Sequence, residues 1–385
     1  MVSRIAIGLM AATLVWLAPA GAALAQIETK AVRAFVVDDE TGTILFAKDP
    51  DTKFPPASLA KLMTLEIAFD ALKSGKVARD AVYPVSEHAW RTGGAPSRTA
   101  TMFAAVKSQV PFLDLLQGAA VITANDACII MAEAMAGSEV AFSVAMNDRA
   151  QALGLANSTF VNPTGLPADG QFVSARDLVT LARHIHASYP EFYPLFSQPE
   201  YKWNNINQQN RNPLIKLGLG ADGLATGFAE GWGFGIVASA TGDGRRLFMA
   251  LSGMASEKER IEESRRLIEW SMRAFRKIDI FAADETIGEA KTFGGERSRV
   301  KLTARGPVSV LIPAENRDKV IARIVYEGPV EAPVEPGQPV GKLKIWVGEM
   351  LTQETPLYTA EHVGVGSLWQ RTLDALEELA IGWLR

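Results

Sequence analysis

The feature that most limits what this chain can fold into is a change of texture near Ile278. From Ala31 to about Lys277, apolar stretches of helix length alternate with stretches of strand length. Beyond that point, Val300–Leu302, Val308–Leu311 and Lys342–Ile345 are short and alternating, punctuated by Gly306-Pro307, Gly328-Pro329 and Pro336-Gly337. Period-two runs bounded by Gly and Pro make strands closed by tight turns. The chain therefore predicts a mixed helix-and-strand domain over residues 31–277 and a small all-β domain over 278–363. Residues 367–385 return to helical spacing: Trp369, Leu373, Leu376, Ala380 and Trp383 form one stripe, opposed by Arg371, Asp374, Glu377 and Glu378. Such a stripe either packs on the β domain or lies in a membrane interface.

Within the first domain, Ala34–Val37 and Ile44–Ala47 flank Asp38-Asp39-Glu40-Thr41-Gly42 and predict a hairpin. Phe234–Ala240 and Arg246–Ser252, joined through Gly242-Asp243-Gly244, predict another. Leu59–Leu72 is an apolar-rich helix that ends at Lys73-Ser74-Gly75. Two more helices open with a serine followed three residues later by an acid, Ser174 with Asp177 and Ser256 with Glu259. These side chains can satisfy the free amides of a first helical turn, ahead of Leu178–Ile185 and Ile261–Phe275.

At the N-terminus, Arg4 gives a positive start, residues 5–18 an apolar run, and Ala23-Leu24-Ala25 a small-residue cleavage site, the pattern of an export signal over residues 1–25. The run is shorter than the ~20 residues of a spanning helix, and Pro19 and Gly21 interrupt it. Composition then excludes several classes. Lys and Arg total 39 against 43 Asp and Glu, with no basic block, so nucleic acid is not the main partner. One cysteine, Cys128, rules out a disulfide framework, and four scattered histidines leave little for a metal site; no metal or cofactor is expected. Cys128 reads as a buried core thiol, and His184 and His186 as surface histidines that diverge on a helix. Gly218 to Gly223 formally fits G-x-G-x-x-G, but a polar segment precedes it and a strand follows, so it reads as a turn.

The sharpest local signal is Ser58-Leu59-Ala60-Lys61 at a helix start. Residues three apart share a helical face, so the lysine amine can reach the serine hydroxyl. A lysine made neutral by burial can act as the base that turns a poor nucleophile into a good one. Alone, the motif reads as a capping serine and a solvated lysine.

It is accompanied by Thr123-Ala124-Asn125 and Ala225-Thr226-Gly227, in the order and rough spacing of S-x-x-K, S-x-N and K-T-G. With the phrases Phe54–Thr64, Ala89–Gly94, Asn125–Cys128 and Phe160–Leu166, the chain from Ala31 onward resembles the low-molecular-weight D-alanyl-D-alanine carboxypeptidases, penicillin-binding serine peptidases. The resemblance implies an α+β fold: a β-lactamase/transpeptidase-like domain, with an antiparallel sheet flanked by helices plus an all-helical region, then the small β domain and the amphipathic helix. It implies Ser58 as the acylated nucleophile, Lys61 as its base, Asn125 as a holder of the substrate amide, and the N–H groups of Ser58 and Phe228 as the oxyanion hole. Thr226 and Gly227 would lie beside the peptide terminus and Arg260 near its carboxylate. The expected reaction is removal of the terminal D-alanine from peptidoglycan stem peptides, with β-lactams as covalent inhibitors. The expected place is the periplasm, with the terminal helix on the inner-membrane surface.

Two positions depart from the pattern. Thr123 stands for the serine of S-x-N and keeps its hydroxyl; Ala225 stands for the lysine of K-T-G and keeps no charge. Ala229 also lacks the usual hydroxyl. The departures leave two readings: a carboxypeptidase in which Arg260 or Lys216 supplies the charge, or a catalytically impaired peptidoglycan-binding homologue. A β-lactamase is disfavoured, because residues 140–190 contain no Glu to activate a deacylating water.

Overall fold

The computed structural model describes residues 27–315 and 319–382, with the side chains of 377–382 left aside. The export signal and Trp383 lie outside the described residues.

The first part is built on a five-stranded antiparallel sheet, in the order Ile44–Lys48, Arg33–Asp38, Arg245–Met254, Gly233–Gly242, Ala221–Ala229. Both hairpins form, and the second runs longer than its apolar residues alone indicated. Side chains alternate across a strand, and here both faces are covered. Phe35, Val37, Val237, Phe248 and Ala250 pack toward the helices, while Ala34, Val36, Ile236, Leu247 and Met249 pack toward Leu267 and Ile268 of helix Glu257–Arg273. That helix starts at its capping box: Glu259 N–H donates to Ser256 Oγ at 3.1 Å, and Ala255 N–H donates to Glu259 Oε2 at 2.9 Å. It ends two residues earlier than its apolar spacing suggested. Phe275 instead opens the strand Phe275–Phe281, which pairs with Val308–Pro313.

Helix Lys61–Lys73 runs through the middle of the all-helical side. It is buried on nearly every face, which carries Lys61 and Glu66 into the interior along with its apolar residues. Glu66 Oε1 is held there by Arg149 (2.6 Å), Tyr189 (2.9 Å) and His184 (3.2 Å), while its buried Oε2 has no hydrogen-bond partner among the described residues. His184 is thus a half-buried member of a polar network, and His186 packs between Tyr193 and Phe248; neither is a free surface histidine.

The second part holds a six-stranded sheet, ordered Val320–Tyr326, Pro339–Val347, Met350–Thr359, Arg299–Thr303, Gly288–Phe293, Val330–Glu331. It is tied to the first part through the tip of the N-terminal hairpin: Thr43 Oγ1 accepts from Leu311 N–H and donates to Gln353 Oε1, both at 3.1 Å, and Lys277 donates to Glu40 at 2.6 Å. Helix Leu368–Gly382 docks by its polar side, Asp374 accepting from Gly294 N–H at 2.8 Å, and leaves Leu368, Trp369, Leu373 and Leu376 exposed.

Candidate active site

Ser58 lies on a single 3-10 turn, Ala57–Ala60, that runs straight into helix Lys61–Lys73. Ala57 holds φ at 47°, a left-handed conformation that costs a residue with a Cβ and tends to mark functional turns. The turn is wedged in place from behind: a Cβ at Gly165 would stand 1.7 Å from the Ala57 carbonyl oxygen, so only glycine fits there. The same loop supplies a carbonyl to Lys61.

Lys61 is 2% exposed. Its Nζ lies 3.1 Å from Ser58 Oγ and 2.5 Å from the Thr164 carbonyl oxygen. Burial disfavours the ammonium form and lowers its pKa to about 8. Roughly a tenth of the amine is then neutral at pH 7, far more than for an ordinary lysine. Cys128 is fully buried within electrostatic reach of this amine; burial pushes the thiol up to about 12, so it stays neutral.

The second wall comes from two helices that meet end to end. Helix Phe112–Ile122 stops at Thr123, whose φ of 55° is left-handed and unusual for a β-branched residue, and helix Asn125–Ala136 starts two residues on. Asn125 is 3% exposed; its Nδ2 donates to Thr99 Oγ1 at 2.9 Å, and its buried Oδ1 has no partner among the described residues. An unpaired buried acceptor is costly unless something else fills it. Asp126 clasps the neighbouring loop, accepting from Thr101 Oγ1 (2.6 Å), Met102 N–H (3.0 Å) and Ala104 N–H (3.1 Å). A Cβ at Gly93 would sit 2.4 Å from Asp126 N, so this glycine lets the Trp90–Gly94 segment close against the same turn.

The third wall is the outermost strand of the sheet, Ala221–Ala229. Gly227 passes against Pro56, Ala57 and Leu59 of the turn that carries Ser58. Thr226 Oγ1 donates to the Arg211 carbonyl oxygen at 3.3 Å. The Ala225 methyl is buried in the apolar cluster on the helical side, and Phe228 is exposed, its ring 4.7 Å from that of Phe234. Arg260 stands behind those rings. It is 5% exposed, donates to Glu257 Oε1 at 2.9 Å and lies 5.7 Å over the Phe234 ring. Lys216 donates to Gln209 Oε1.

The structure thus joins Ser58 to Lys61 directly, sets Gly227 against their turn, and engages Arg260 and Lys216 with other partners. Sequence reasoning missed Thr164 and Thr99. The phrase Asn162-Pro163-Thr164-Gly165 carried a signal, but a backbone carbonyl has no residue-type signature; Thr99 lies in a loop with none.

A family model described as D-alanyl-D-alanine carboxypeptidase matches residues 20–255, and one described as the C-terminal domain of penicillin-binding protein 5 matches residues 275–365. The chain belongs to the D-alanyl-D-alanine carboxypeptidase family. Among its relatives, D-alanyl-D-alanine carboxypeptidase DacC of Escherichia coli is 34% identical over 346 residues, covering 89% of this chain and 86% of that protein. Among solved structures, penicillin-binding protein 5 of Haemophilus influenzae superposes with a TM-score of 0.75 at 32% identity, covering 88% of this chain and 98% of the other. Penicillin-binding protein D2 of Listeria monocytogenes, solved with ampicillin bound, gives 0.55 at 25% identity over 64% of this chain and 99% of that one. The carboxypeptidase fold expected from the motifs is the fold observed, and the enzyme class is that of a serine-type D-Ala-D-Ala carboxypeptidase.

Proposed function

We propose that this chain removes the terminal D-alanine of peptidoglycan stem peptides through an acyl-serine at Ser58. The observation that carries this reading is the buried Lys61 amine, 3.1 Å from Ser58 Oγ and lowered to about 8. In its neutral form Lys61 takes the Ser58 proton as Oγ attacks the carbonyl of the penultimate residue. The N–H groups of Ser58 and Phe228 hold the oxyanion, and Asn125 Oδ1 receives an N–H of the bound peptide. The proton passes from Lys61, by way of the Thr123 hydroxyl, to the departing D-alanine nitrogen. Water then hydrolyses the ester with Lys61 again as base. Penicillins acylate the same serine and stay. The chain acts in the periplasm at the outer face of the inner membrane. Supporting that place is the terminal helix, which turns its polar side to the β sheet and Trp369, Leu373 and Leu376 outward.

Release of D-alanine from a pentapeptide ending in D-Ala-D-Ala, followed by coupled oxidation of the free D-amino acid, tests this. The expected result is release that Ser58→Ala abolishes; no release by the unaltered chain refutes it.

A further inference from the structure

The cation expected at position 225 is absent, and the two replacements that spacing suggests are engaged elsewhere, Arg260 with Glu257 and Lys216 with Gln209. A third cation stands at the junction of the two walls. Arg211 N–H donates to the Val121 carbonyl oxygen at 3.0 Å, two residues before Thr123, and the Arg211 carbonyl oxygen accepts from Thr226 Oγ1 at 3.3 Å. Its neighbours fix it further. Asn212 Nδ2 donates to Gly223 O at 2.8 Å, while Asn210 Nδ2 reaches Phe196 O at 3.0 Å and Gln198 O at 2.7 Å. The backbone of Arg211 is thus bolted both to the edge strand and to the helix end that carries Thr123. Its guanidinium is exposed and has no hydrogen bond or ion pair among the described residues.

We propose that Arg211 binds the terminal carboxylate of the substrate in place of the cation missing at Ala225, an inference that rests on the carboxypeptidase reading. A guanidinium presents a rigid fork of donors matched to a carboxylate and stays charged at every working pH. Exposed, unlike the buried position 225 of the strand, it also adds no second buried positive charge beside Lys61. Arg98 is exposed too, but it adjoins Thr99, the partner of Asn125, and no backbone hydrogen bond among the described residues ties it to the edge strand.

The test measures kcat/KM on a peptide ending in D-Ala-D-Ala and the acylation rate with a fluorescent penicillin, which carries a carboxylate of its own. Arg211→Ala should lower both by about ten- to hundredfold, the worth of one charge-assisted hydrogen bond. It should not further slow a peptide amidated at its C-terminus. Ala225→Lys in the Arg211→Ala background should recover most of the loss, and Arg98→Ala should leave both rates near the original. An Arg211→Ala protein that folds and keeps the original rates overturns the proposal. So does a loss that is equal for the amidated peptide, or that Ala225→Lys does not relieve. If the unaltered chain neither takes penicillin nor releases D-alanine, the carboxypeptidase reading falls and this one with it.

Discussion

Two residues concentrate the physical tension of the site. Burial alone lowers the pKa of Lys61 to about 8, and strand Ala221–Ala229 carries no second cation to lower it further. The acylation rate should therefore rise with pH through a limb near 8, as the amine loses its proton. Ala225→Lys adds a like charge, which disfavours the ammonium form and should move that limb to lower pH; a limb that stays put or moves up in stopped-flow acylation contradicts the assignment of Lys61 as base. Thr123 is the second. A β-branched residue at φ 55° stores strain of order 1 kcal/mol or more, and Asn accepts that conformation readily. Thr123→Asn should raise the melting temperature while slowing acylation at least about tenfold, since it discards the hydroxyl proposed to relay the proton. Equal melting points and equal rates would show that Thr123 is neither strained nor used. The residue scale was also the most legible in sequence. The proposed roles of Ser58, Lys61 and Asn125 rest on residue type and spacing, whereas Thr164 meets Lys61 through a carbonyl and Arg211 is anchored through its backbone, neither of which a residue pattern encodes.

At the scale of elements, the site depends on loops that hold a strained turn. The Asn162–Leu166 loop presses on Ala57 and hands a carbonyl to Lys61, and only a bare Cα fits at Gly165. Gly165→Ala should cost more than about 2 kcal/mol in urea denaturation and abolish penicillin labelling, because backbone must move to admit the methyl. A variant of native stability would mean the loop is loosely seated. Elements with periodic patterns were readable in advance: the two hairpins, the helix that follows Ser58, and both capping boxes. The end of helix Glu257–Arg273 was not, because Phe275 continues the apolar spacing while belonging to a strand. Nor was the docking of the terminal helix, since an amphipathic stripe does not say which side meets protein. With its apolar side outward, a chain truncated after Gly366 should lose binding to phospholipid vesicles in a flotation assay, and undiminished flotation would rule out the anchor.

The molecule as a whole places the Ser58 turn between a buried helix and the edge of a five-stranded sheet, with a β sheet braced against the N-terminal hairpin and apolar residues of the terminal helix exposed. The change of texture near Ile278 is read as a division because strand-length runs punctuated by Gly and Pro cannot continue a helical layer. The charge balance of the site was less visible, since the sequence shows the loss at Ala225 directly but the compensation only through contacts distant in the chain. The central claim is that Ser58, activated by Lys61, forms a covalent acyl-enzyme. Intact-mass spectrometry after incubation with a penicillin tests it most directly. The account predicts one added penicillin mass per chain, located on the peptide containing Ser58 and absent in Ser58→Ala; an unmodified chain, or label on another residue, would contradict it.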